Sequence, residues 1–152
     1  MKKVLFANIL CFAAVPAVLF SQGGATDPFS GTWKLNIAKS KVSPGPAPSD
    51  ETLTAAPDGK IAIHEVGSDG KLIDWSFDAV ENTAVPIRGL PEESTVVTRH
   101  VGRALEHTWH FGTGTMTDRG VISKDGKTLT VTATGTNGKG QPVHDVLVFE
   151  KP

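Results

Sequence analysis

The sequence predicts an all-β fold, an antiparallel up-and-down meander of about nine or ten strands closing into a barrel, with a β-sandwich as the alternative architecture. Three observations carry this expectation. From Glu51 onward, short β-like runs alternate with turn signals at intervals of about ten residues, and helix signals are almost absent. Three Asp-Gly-Lys sequences (Asp58, Asp69 and Asp125 lead them) and Asn137-Gly138 sit between those runs, and such pairs tolerate the positive φ that tight hairpins need. Two runs show a strict period of two. Ile73, Trp75, Phe77 and Ala79 alternate with Asp74, Ser76 and Asp78, and Leu129, Val131 and Ala133 alternate with threonines at 128, 130, 132 and 134.

Residues 1–24 read as a secretory signal peptide. Lys2 and Lys3 begin it, an apolar run from Val4 to Phe20 follows, and Ser21 to Ala25 supply small residues for cleavage. The run is at the short edge of what crosses a bilayer, so no stable membrane anchor is expected after cleavage. Cys11 lies inside the run and follows Leu10, which argues against lipidation. The mature chain then has no cysteine, and its stability must come from an apolar core rather than disulfides. Two of the 15 basic residues leave with the signal, so 13 remain against 16 acidic ones, a net charge of −3 with neutral histidines. That mild, mixed balance offers no footprint for nucleic acid. Residues 25–152 suit one domain, expected to be monomeric and either periplasmic or extracellular.

Within that domain, strands are expected at 31–36, 51–56, 60–67, 71–79, 94–101, 103–111, 115–123, 127–135 and 143–151, with a short extra one around Val85. Short loops make sequence neighbours sheet neighbours, and closing the sheet removes its exposed edges. The segment 41–50 differs. Pro44, Pro46 and Pro48 exclude a central strand there, so it reads as an extended connection crossing the barrel end or wrapping its outside.

Phe29-Ser30-Gly31-Thr32-Trp33-Lys34-Leu35 resembles the Phe-x-Gly-x-Trp opening of lipocalins and fatty-acid-binding proteins. The longer pattern from Gly31 through Ser43-Pro44-Gly45-Pro46-Ala47-Pro48 to Ser123-Lys124-Asp125-Gly126-Lys127-Thr128-Leu129 resembles exported bacterial lipocalin-like proteins of the calycin type. The resemblance implies a lipocalin-like barrel, an exported location and a tryptophan, Trp33, plugging one end. It carries no established ligand. It also departs from the fatty-acid-binding pattern at two places. Leu147 and Phe149 stand where those proteins place the Arg-x-Tyr pair that holds the ligand carboxylate, and the proline-rich connection replaces their two-helix lid.

The residues suggest a binder rather than an enzyme. Trp33, Trp75, Phe77, His107, Trp109 and Phe111 are the candidate lining residues for a small hydrophobic ligand, His107 being a polar group on the otherwise apolar face of Leu105, Trp109 and Phe111. A histidine satisfied by a neighbouring strand, and rings that simply fill a core, are the competing structural roles. Neither a metal site nor a cofactor is expected: His107 and His110 are three apart on a strand and point to opposite faces. Arg99 reads as exposed, an inward orientation toward Asp118 being the alternative. No Gly-x-Ser-x-Gly or cysteine nucleophile is present, and no catalytic residue is assigned. The alternative to a carrier is a solid-cored β-domain working through its outer surface. An enzyme within the barrel would need His107 in hydrogen-bond reach of Asp118 or another carboxylate.

Overall fold

A computed structural model describes residues 27–90 and 93–152; the expected signal peptide at 1–24 lies outside the described residues. Ten antiparallel strands form one sheet: β1 (Gly31–Leu35), β2 (Asp50–Ala55), β3 (Lys60–Val66), β4 (Leu72–Asp78), β5 (Ala84–Pro86), β6 (Ser94–Val101), β7 (Ala104–Phe111), β8 (Gly114–Ile122), β9 (Thr128–Thr136) and β10 (Pro142–Glu150). The order around the sheet is β4-β3-β2-β1-β10-β9-β8-β7-β6-β5. The meander is therefore continuous, and β1 pairs with β10 to join its beginning to its end.

The two outer strands of this order meet, which makes the sheet a nearly closed barrel and excludes a sandwich. Beyond β5, Arg88 and Ser76 of β4 exchange both backbone hydrogen bonds (3.0 and 2.8 Å). Gly89 permits this approach. Its φ is +93°, and a Cβ there would run into the Asp74 carbonyl oxygen. The outward side of the same seam carries the Arg88–Asp78 ion pair at 2.8 Å.

The three Asp-Gly-Lys sequences make the β2–β3, β3–β4 and β8–β9 turns, with Gly59, Gly70 and Gly126 at φ of +88°, +78° and +72°. The β9–β10 turn differs from its sequence expectation. Its left-handed glycine is Gly140 (φ +73°) rather than Gly138, because Asn137 Oδ1 accepts from the backbone N–H groups of Lys139 and Gln141 and pulls the turn two residues along.

The connection from β1 to β2 neither simply crosses the barrel end nor wraps its outside. After a single 3-10 turn, Ile37–Lys39, the chain pairs with β10 again, Lys41 and Val146 exchanging hydrogen bonds at 2.7 and 2.8 Å and Ser43 accepting from His144 N–H. Only then does it turn over the barrel, with Pro46 and Pro48 at the cavity border. Buried apolar side chains form two clusters. One comprises Phe29, Trp33, Leu35, Leu129 and Phe149; the other comprises Ile63, Phe77, Ile87, Val96 and Trp109.

Candidate functional site

Between and beside these clusters lies a cavity of about 680 Å³, open to solvent and bordered by residues of β2 to β4, β6 to β10 and the proline-rich connection. Period-two alternation explains its wall. Leu53 and Ala55, Ile61 and Ile63, Trp75 and Phe77, and Leu129 and Val131 point inward, while the intervening residues face water. The volume lies in the range that holds one drug-sized molecule.

Five of the six candidate lining residues from the sequence border this cavity: Trp75, Phe77, His107, Trp109 and Phe111. Their rings meet across the barrel, β4 against β7. Trp75 and Trp109 are edge-to-face at 5.6 Å, Phe77 and Trp109 at 5.4 Å, and Phe111 stacks on Trp109 at 5.9 Å. Trp33 does not border the cavity. It is fully buried in the first cluster, its indole Nε1–H donating to the Phe29 carbonyl at 2.8 Å and Lys151 Nζ lying 4.6 Å from the ring centre. The segment before β1, which brings the Phe29 carbonyl to the indole N–H and its side chain into the same cluster, converts a candidate wall residue into packing.

His107 is held by the neighbouring strand. β7 and β8 pair it directly with Asp118, whose Oδ1 lies 2.9 Å from His107 Nδ1 and whose Oδ2 accepts from Trp109 Nε1–H at 2.6 Å. A carboxylate cannot donate, so Nδ1 carries the hydrogen; in the neutral ring Nε2 is then the acceptor. That Nε2 is buried and has no partner among the described residues, nor has Oγ1 of Thr98, the residue paired with His107 on β6. Arg99 is exposed and bonds Glu106 at 2.8 Å, not Asp118, and His110 faces away from the cavity toward Thr115.

Sequence reasoning missed the other inward acids. Glu51 of β2 and Glu65 of β3 are direct partners in the register and both border the cavity, as does Asp145 of β10. Burial, then the Glu65 charge, pushes the Glu51 carboxyl up to about 8. Burial also raises Glu65, partly offset by a hydrogen bond from the Trp75 side chain, and raises Asp145, partly offset by the Ser43 N–H at 2.8 Å. A signal for them existed in the alternation itself: each acid occupies the inward phase of its strand, as in Ile61-x-Ile63-x-Glu65 and Asp145-x-Leu147-x-Phe149.

No family model matches the chain, and no curated protein matches it. Solved structures do share its fold. Fatty-acid-binding protein 1 of Echinococcus granulosus aligns with a TM-score of 0.53 at 17% identity, covering 82% of this chain and 98% of its own. The fluorescent protein UnaG aligns at 0.54 and 17%, covering 84% and 100%. Zebrafish ileal bile acid-binding protein, solved with cholic acid, aligns at 0.52 and 13%, covering 82% and 99%. The barrel is thus of the calycin type.

Proposed function

We propose that this protein is an exported, monomeric carrier that holds one small apolar molecule inside its barrel and performs no chemistry on it. The observation that carries the proposal is the cavity of about 680 Å³ walled by Trp75, Phe77, Trp109 and Phe111. A solid-cored domain would have no such space. Neighbouring folds named for fatty acids and a bile acid lend support to a lipid-sized guest, and the proline-rich connection borders the cavity that would hold it.

One observation favours a second reading. His107 and Asp118 stand within hydrogen-bond reach, the geometry an acid–base pair in a barrel enzyme requires. Against it, Asp118 is shared with Trp109, and among the described residues His107 Nε2 and Thr98 Oγ1 bond neither each other nor another group, so the imidazole activates no hydroxyl there. The pair is better suited to orienting a guest.

Native mass spectrometry of the protein taken from its exported pool, followed by denaturation, tests the carrier. A stoichiometric small-molecule adduct that disappears in Trp109→Ala supports it. A clean apo mass, with no change in tryptophan fluorescence across a panel of apolar probes, overturns it.

A further inference from the structure

The charges on the cavity wall have one sign. Its acidic members are Glu51, Glu65, Asp118 and Asp145, with Asp69 at the β3–β4 turn and Asp27 and Glu81 on the side nearer the β2–β3 turn. Among the described residues no lysine or arginine borders it, and His100 and His107 are its only nitrogen bases. Lysines and arginines instead lie outside, where Lys34, Arg88, Arg99 and Arg119 pair with surface carboxylates.

Most of these acids already have partners. Asp69 bonds Lys71, Glu81 bonds His100, Asp118 bonds His107 and Trp109, and Asp145 accepts from Ser43 N–H. Glu51 and Glu65 have no ion-pair partner among the described residues, although they stand directly opposite one another on adjacent strands, an arrangement that is unfavourable when both are ionised. A cation placed between them would remove that repulsion. Thr98 and His107 border the same cavity, but Thr98 Oγ1 and His107 Nε2 lie buried behind its surface, without a partner among the described residues.

Resting on the carrier reading, we propose that the guest is a cationic amphiphile: an amine whose ammonium sits between Glu51 and Glu65 and whose apolar body runs along Trp75, Phe77 and Trp109. The Trp75 side chain, hydrogen-bonded to Glu65, holds that carboxylate beside the apolar wall along which the guest's body runs. An apolar carboxylate would meet acids where it needs a cation and would gain no counter-charge anywhere on the wall. Burial, with Glu65 directly opposite on β3, favours the protonated Glu51 carboxyl in the empty barrel; the ammonium displaces that proton.

The test uses three probes with one apolar body, dodecylamine, dodecanol and dodecanoate, competing against an environment-sensitive dye on the purified protein at pH 7.5. The amine is expected to bind about tenfold tighter than the alcohol or better, with the carboxylate weakest. Glu51→Gln with Glu65→Gln should bring the amine to within about threefold of the alcohol, with a cooperative thermal melt showing that the variant folds. Calorimetry of the unaltered protein in buffers of differing ionisation enthalpy gives a variant-free check: amine binding releases a proton, alcohol binding does not. Alcohol binding without an amine preference, a preference for the carboxylate, or an amine preference that survives both substitutions overturns the inference and leaves the carrier standing. Failure of all three probes to displace the dye overturns both.

Discussion

Asp118 sets the posture of two wall residues at once, because β7 and β8 place His107 directly opposite it and Trp109 one inward position along. Asp118→Asn can still accept from one of the two donors but turns an N–H toward the other. It should cost about 1–3 kcal/mol, read by urea unfolding, and free the Trp109 ring, read as a shift in its fluorescence. Glu51 acts through its proton. The folded barrel holds that proton up to about pH 8, whereas the unfolded chain gives it up near the ordinary 4.5. Unfolding between those values releases a proton, so stability falls as pH rises through that window and does not recover above it. Glu51→Gln removes this penalty. Urea midpoints should match the unaltered protein at pH 4 and exceed it at pH 9, by about 1–2 kcal/mol where water at the mouth relieves part of the burial. A variant no more stable at pH 9 would contradict the assignment. The inward phase of these acids was legible in the sequence, but their register against each other was not, since pairing partners lie 14 residues apart for Glu51 and Glu65 and depend on the turn between them.

At the scale of elements, closure rests on a short seam. Ser76 and Arg88 supply its two backbone bonds, and Gly89 lets the chain pass under Asp74. Gly89→Ala adds a Cβ against that carbonyl at a positive φ, so it should cost about 2–4 kcal/mol in chemical denaturation. Amide exchange should speed up at Ser76 and Arg88 first, while the β9–β10 ladder on the far side keeps its protection. Equal loss of protection in both places would mean the barrel unfolds as one piece rather than from its seam. The strands themselves were legible, each within a residue or so of its expected bounds, because turn chemistry and alternation are local. The proline-rich connection was legible only as a non-strand. Its return to β10 at Lys41 and Ser43 depends on backbone groups that β1 leaves unpaired when it ends at Leu35.

For the whole molecule, two tryptophans divide stability from binding. Trp33, packed among Phe29 and Phe149, does not itself border the cavity, although those two neighbours do; Trp109 is part of the wall. Trp33→Phe should therefore lower stability by about 1–2 kcal/mol, through the lost Phe29 hydrogen bond and lost packing, while leaving probe affinity unchanged. Trp109→Ala should lose probe binding by at least about tenfold, the equivalent of about 1.4 kcal/mol. Dye displacement and thermal melts on the two variants separate these outcomes, and a Trp33→Phe variant that folds normally but loses binding would place the wall elsewhere.

The sequence by itself determined the class of fold and the inward face of most strands, because hairpin turns and period-two patterning are written within ten residues. It also marked five wall residues and the place of the proline-rich connection. Only the tertiary structure decided that the sheet closes, that Trp33 is packing rather than wall, and that Glu51 and Glu65 face each other beside an open space. Those depend on which distant strands become neighbours and on how much volume their side chains leave unfilled, and neither quantity is local to any stretch of chain.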